Sequence, residues 1–260
     1  MENSDCVAMY ATEDLRKKVL VETQKVFRRF KLFRKLLVTL MLLVIPVLAG
    51  AFPSDTGKPV KVITDADIVP LNYWSNDTVW NIQGLCYVED GEVLIIEGGT
   101  IIKGDEGQAE NATALIVARG GKIYAEGGPC EPIIFTSIVD MVDDPDDLDL
   151  DNFADCRGRW GGVILLGRAL VNSSTPLDNG IEGIPAGDLR ARFGGVDDDD
   201  NSGVLRYISI RHGGSIIGAA NEINGLTMGG VGRGTVISHI EVAYNLDDGF
   251  EWFGGSVNGD

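Results

Sequence analysis

Short β-rich runs recur from Leu85 to the end of the chain, each bounded by glycine. They read EVLIIEGGTIIKG, ALIVARGGKIYAEG, EPIIFTS, WGGVILLGRALV, VLRYISIRHGG, EINGLTMGGVG, TVISHIEVAYN and DGFEWFGGSVN. Val, Ile, Leu and Thr fill them, and no amphipathic helical run of useful length separates them. GGTIIKG and GGKIYAEG begin 22 residues apart, at Gly98 and Gly120. A loose period in the twenties with glycine corners predicts a solenoid of stacked coils, about 4.8 Å apart, in which like positions form internal ladders. Six or seven such coils would span roughly 30 Å. The competing all-β arrangement, a sandwich of hairpins, needs tight N-G or D-G turns between strictly alternating strands. Such pairs are few, at Asn179, Asn224, Asn258, Asp90 and Asp248. The expected fold is therefore all-β: a parallel β-helix over 85–260, with 52–84 as an N-terminal cap or linker.

Two stretches leave this pattern and predict long loops, Val139–Arg159 and Asn172–Gly203, the second rich in Gly, Pro, Asp and Asn. Loops of that length are uncommon in compact domains unless they carry function or are disordered, and insertions in a solenoid often form its binding face. Asp198-x-Asp200-x-Ser202-Gly203 opens like an oxygen-rich calcium loop, with its glycine at the sixth place. Asp147-x-Asp149-x-Asp151 repeats the spacing without the glycine, and neither stretch supplies the glutamate an EF-hand needs. Calcium is the one cofactor these residues suit; a solvated acidic turn is the alternative. With only two histidines and no C-x-x-C, zinc has no support.

Strand alternation places side chains on faces. Ile208 and Ile210 should point inward, leaving Tyr207, Ser209 and Arg211 in solvent and His212 at a corner. Val236, Ile240 and Val242 should point inward, leaving His239 and Glu241 outside. Tyr207, Ser209, Arg211, His239 and Glu241 are the expected binding face. Phe250 and Trp252 alternate with Glu251, and Asp247-Asp248-Gly249 reads as the corner before them. If the chain is an enzyme, Asp247, Asp248, Glu251 and His212 are its candidates. Paired-carboxylate glycoside hydrolysis needs carboxyls about 5–9.5 Å apart. On one strand Asp247 and Glu251 would be about 13 Å apart, so a working pair has to form at a turn or between coils.

The chain has 260 residues, 44% of them hydrophobic, enough to fill one core. Residues 1–51 hold 9 of the 22 Lys/Arg and 5 of the 39 Asp/Glu, so the remainder carries 13 basic and 34 acidic residues, a net of −21. That surface would repel nucleic acid. The basic stretch is followed by an export signal. Arg28, Arg29, Lys31, Arg34 and Lys35 precede an apolar run over Leu36–Leu48, interrupted by Pro46, and Ala49-Gly50-Ala51 is an A-x-A cleavage site. Cleavage near Ala51 predicts a secreted or outer-surface protein that meets the membrane only during export. The 27 residues ahead of the signal fit either a start assigned too far upstream or a true signal-anchor. Export permits disulfides, and Cys130 and Cys156 flank the first acidic loop as a possible staple; three reduced, buried thiols are the alternative.

LIIEGGTIIKG, ALIVARGGKIYAEG…PIIFTS, RWGGVILLGRA, DNSGVLRYISIRHGGS, NEINGLTMGGVGRGT and NLDDGFEWFGGSVN together resemble a family of secreted bacterial proteins common in Bacteroidetes and marine bacteria. The resemblance runs from about Val60 to the C-terminus. It implies a right-handed parallel β-helix at the cell surface or in the medium, in relatives that often continue into further domains and a type IX secretion sorting signal. Neither is present here, and the chain stops after a glycine corner, as a C-terminally truncated helix would. The family supplies no settled reaction. Pectin-degrading β-helix enzymes use an N-x-D, a paired Asp, a His-Gly and an R-x-K motif in that order. Here His212 precedes Asp247 and no R-x-K follows. The expected role is non-catalytic: adhesion, or binding of a polysaccharide or surface protein. A polysaccharide lyase or glycoside hydrolase and a structural stalk are the alternatives.

Overall fold

The computed structural model describes residues 57–142, 150, 155–185, 187–218 and 221–260. The leader and signal segment (1–51), and the acidic triplet Asp147, Asp149 and Asp151, lie outside them. Strand β1 (Val60–Ile63) starts the described chain. The first coil is β2 (Leu71–Trp74), β3 (Val79–Ile82) and β4 (Leu85–Val88). The second is β5 (Val93–Ile96), β6 (Ile101–Gly104) and β7 (Ala114–Val117). The third is β8 (Lys122–Glu126), β9 (Ile133–Ser137) and β10 (Val163–Leu166). A short hairpin, β11 (Asn179–Gly180) with β12 (Arg192–Phe193), lies in the second excursion. The fourth coil is β13 (Gly203–Arg211), a hairpin of β14 (Ile216–Gly218) and β15 (Asn221–Glu222), then β16 (Leu226–Val231). The fifth is β17 (Val236–Ala243) and β18 (Phe250–Gly255).

Apart from the two hairpins, every strand pairs in parallel with its counterpart in the next coil. The result is a right-handed parallel β-helix with three faces. Face 1 stacks β2, β5, β8 and the first halves of β13 and β17. Face 2 stacks β1, β3, β6, β9 and the second halves of β13 and β17. Face 3 stacks β4, β7, β10, β16 and β18. Five coils are complete among the described residues rather than six or seven, because each coil consumes three runs. The first coil begins at Leu71, inside the stretch expected as cap or linker.

The core is a set of ladders. On face 3, Cys86, Leu115, Val163, Leu226 and Phe250 stack in register, beside Val88, Val117, Leu165, Met228 and Trp252. All but the last member of each row are fully buried. Trp252 stands in the inward row yet is 50% exposed, since among the described residues β18 has a strand paired on one side only. On face 2, Trp80, Ile102, Phe135 and Ile210 form another buried row. Trp160 fills the space above Gly104 and donates its indole N–H to the Arg211 carbonyl at 2.7 Å. Stacked like on like, each apolar side chain buries surface against the coil above and the coil below, which is the main stabilising term in such a fold.

In the fourth and fifth coils the corner between faces 1 and 2 is made by one residue. Tyr207 and His239 occupy it in successive coils, with φ of 50° and 55°. That left-handed step resets the alternation. Ile237 is buried and Val236 is 37% exposed, so Val236 points outward, contrary to the reading of TVISHIEVAYN as one uninterrupted strand. Ile240 and Val242 pack against the core as expected.

No disulfide joins Cys130 to Cys156; both are free, as is Cys86. Cys130 sits in the exposed turn before β9. Cys156 accepts the Leu150 N–H on its sulfur and lies beside His212, past the far end of β13. A strand of five residues is about 15 Å wide, and disulfides need Cα atoms within about 7 Å. Burial pushes the Cys86 thiol up to about 12. In the native full chain, a maleimide should label Cys130 within minutes and leave Cys86 untouched until unfolding, and reductant should leave Tm unchanged. Prompt labelling of Cys86, or a Tm drop in reductant, would contradict this arrangement.

Candidate functional site

The three faces differ in what covers their outer sides. On face 3 the outward row is Tyr87, Ile116, Ile164, Thr227 and Glu251. Val171 and, from the second excursion, Ile181, Ile184, Ala191 and Phe193 pack over it. On face 2, Val79, Ile101 and Ile134 pack against Val142 of the first excursion. Among the described residues, no apolar cluster packs over the outer side of face 1. Its central outward row is Tyr73, Ile95, Tyr124, Val204 and Val236, in register through five coils. Tyr73 is 45% exposed and Val236 37%, the three between are half-buried, and none belongs to a packed cluster. At about 4.8 Å per coil the strip is about 19 Å long. Leu71, 60% exposed, and Val93 flank it on one side. The Glu126–Arg206 ion pair, 3.4 Å, flanks it on the other.

The residues expected to form a binding face separate. Tyr207 and His239 border this strip, their rings stacked with centroids 4.3 Å apart. Ser209 and Arg211 do project from the outer side of face 2, but both are buried, at 4% exposure. Ser209 donates to the Glu241 carboxylate at 2.6 Å and accepts from Arg211 Nε at 2.8 Å. They are therefore an internal polar layer rather than a solvent face. Alternation gives a side chain's direction; it cannot show that a distant loop will cover it.

His212 is fully buried at the next corner, with φ of 61°. Its Nδ1 is 2.8 Å from the Cys156 carbonyl, and its Nε2 is 3.8 Å from the Asp140 carboxylate. Asp140 also accepts from Thr136 Oγ1 at 2.5 Å, and its carbonyl accepts from Lys103 Nζ at 2.5 Å. His212 thus ties together the two roots of the first excursion. Burial lowers its pKa, against the pull of Asp140. Its ring stacks on Tyr244 and makes no contact with Asp247, Asp248 or Glu251.

Those three carboxylates do gather. Asp247 and Asp248 lie in the turn between β17 and β18, and Glu251 ends the outward row of face 3. The buried Asn224, one coil below, donates to the Glu251 carboxylate and accepts the Asp248 N–H at 2.9 Å. Glu182, from the second excursion, and Glu222, from β15, complete the group. Burial, then Glu182, Asp248 and Asp247, raise Glu251 to about 7. Burial, then Glu222 and Asp247, raise Glu182. Glu251 thus binds its proton more tightly folded than unfolded. Its stabilising contribution is complete below its ordinary value of 4.5 and is lost as pH rises through 7. Glu251→Gln should therefore raise Tm by about 3 °C at pH 8 and leave it unchanged at pH 4. A gain of equal size at both pH values would contradict the charge origin of the effect. Glu182 and Glu222 were not legible as members, since their loops meet the corner only in three dimensions.

The acidic run 197–200 is a staple. Asp198 accepts the Leu170 N–H at 3.0 Å and Asp200 the Arg168 N–H at 3.0 Å. Arg233 pairs with Asp198 at 3.4 Å and Asp199 at 3.3 Å. Ser202 is buried, and its N–H donates to Thr235 Oγ1 at 2.8 Å. Among the described residues, no three His, Cys, Asp or Glu side chains are grouped to hold a metal. The Asp198 and Asp200 carboxylates turn toward backbone N–H groups of the preceding coil.

A cavity of about 490 Å³ lies at the corner between faces 3 and 1, walled by the second excursion. No curated protein and no solved structure is significantly similar to the chain. A family model described as a pectate-lyase-like β-helix domain matches residues 67–260, in keeping with the three parallel faces, and the chain belongs to that family.

Proposed function

We propose that this is an exported, non-catalytic β-helix protein that binds an extended neutral or basic polysaccharide along face 1, as in adhesion to a surface. The outward row of Tyr73, Ile95, Tyr124, Val204 and Val236, part-exposed and in register through five coils, carries the reading. The backbone groups of an internal sheet strand are spent on its neighbours, so recognition here has to come from side chains. Tyrosines offer flat apolar faces with a polar rim, suited to the C–H faces of sugar rings. A row repeating at every coil suits a polymer that itself repeats. The net charge of −21 beyond residue 51 disfavours acidic polymers. The full chain should co-sediment with cellulose or chitin and not with insoluble polygalacturonate, and no reducing ends should be released. Absence of retention on every neutral polymer would sink the reading.

A second reading is favoured by one observation. Glu251, raised to about 7, stands among carboxylates, as a general acid does in a polysaccharide lyase or glycoside hydrolase. Release of reducing ends or unsaturated products that disappears in Glu251→Gln would establish it.

A further inference from the structure

The corner cavity brings together features that neither reading uses. Three of the 13 basic residues beyond residue 51 line it: Arg119, Arg168 and Arg190. Two are committed to holding the second excursion. Arg119 donates to the carbonyls of Leu177 and Gly194 at 3.2 and 3.1 Å and to Asp178 at 3.0 Å. Arg190 donates to Asp65 at 2.7 Å and to Asp188 at 3.0 Å, and lies over the Tyr87 ring. Arg168 differs. Only its Nη2 is engaged, by Asp90 at 3.0 Å and the Arg119 carbonyl at 3.4 Å. Its Nε and Nη1 make no hydrogen bond among the described residues, and its side chain is 45% exposed.

The walls beside this guanidinium are apolar and open. Leu177, Leu189 and Val196 line the cavity and are 53%, 74% and 82% exposed. Three large apolar side chains around one mouth are out of place on so acidic a surface, unless something apolar covers them. The volume is that of a small-ligand site. Glu89, Asp90 and Asp197 also line it, so the site is close to neutral as a whole. A dianion such as phosphate or sulfate would face three carboxylates. A monovalent carboxylate attached to an apolar group would meet the free N–H groups of Arg168 and the three apolar walls together.

We infer that this cavity binds the carboxylate end of a small molecule or chain that carries an apolar group next to the acid. It is separate from the face 1 strip, so its ligand need not be the polymer, and the two sites succeed or fail independently.

The test is equilibrium binding to the full chain by ligand-detected NMR. The probes are hexanoate against hexanamide, and N-acetyl-glycyl-leucine against its C-terminal amide. Each pair keeps the apolar body and removes the charge. The acids should bind with dissociation constants of about 1 mM, and the amides about tenfold more weakly. Tighter binding of the peptide acid than of hexanoate identifies a polypeptide C-terminus as the source, and the reverse a free organic acid. Arg168→Gln should cost the acids about tenfold and the amides nothing. Val196→Asp, at a site too exposed to threaten folding, should weaken both acids; Arg157→Gln, outside the cavity, should weaken neither. Equal binding of acid and amide, or acid binding that Arg168→Gln leaves intact, overturns the inference.

Discussion

Gly203→Val should yield a chain that does not reach the native fold, or one whose Tm has fallen by more than about 10 °C. Gly203 is where the second excursion returns to the sheet and β13 is laid against β8. Its φ is +117°, a region that L side chains rarely adopt. A Cβ built there falls inside the carbonyl of Ile123, with that residue's carbon and nitrogen close behind. Ile123 cannot move aside. Its N–H donates to the Ser202 carbonyl at 2.9 Å, its side chain is fully buried, and it pairs with Leu94 on the other side. Backbone meeting backbone leaves no rotamer to change, so the strain has to open the β8–β13 pairing itself. Gly128→Ala is the control: nothing lies within 4 Å of its added Cβ, and its φ is ordinary. It should shift Tm by less than about 3 °C. Thermal unfolding by circular dichroism reads both. A Gly203→Val chain as stable as the control would contradict the register between the third and fourth coils.

Replacing both Tyr73 and Tyr124 by serine should weaken retention on a neutral polysaccharide by about ten- to a hundredfold. Each ring gives up a stacking contact of about 1 kcal/mol and part of its apolar contact area. Both side chains project from face 1 and neither belongs to a packed cluster, so the fold should lose little. Lower β-propensity at two outward positions costs about 1–2 kcal/mol, or about 5 °C in Tm. Isotherms on cellulose or chitin at a temperature well below Tm separate the two effects. A double variant that binds as well as the parent would remove face 1 from the account.

Much of the architecture was legible because solenoids repeat. The step of 22 residues from Gly98 to Gly120 is near the true coil length: Tyr73 to Ile95 is also 22, and Ile95 to Tyr124 is 29. Alternation then put Ile208, Ile210 and Phe250 inside, and the Asp247–Gly249 turn at a corner, as found. What was not legible follows from the excursions. The next step, Tyr124 to Val204, is 80 residues, and it hid the continuity of the face 1 row. Ser209 and Arg211, which strand periodicity assigns to solvent, are buried, and the second excursion brings Glu182 to Glu251. One-residue corners added a further error. Tyr207 and His239 look like strand residues in the chain, and only their left-handed φ shows that alternation restarts after them. At Asp198 and Asp200, carboxylates two apart suit a cation loop and equally suit capping of the Arg168 and Leu170 N–H groups, which is the contact they make.

Hydroxyl-radical footprinting of the full chain, free and bound to the neutral polysaccharide that retains it best, tests the central claim most directly. Binding along face 1 predicts protection of Tyr73, Tyr124 and the bordering Tyr207, with Trp252 and Tyr244 oxidised as in the free chain. Protection of Tyr244 and Trp252 with Tyr73 and Tyr124 unchanged would contradict it and move the ligand to the carboxylate corner around Glu251.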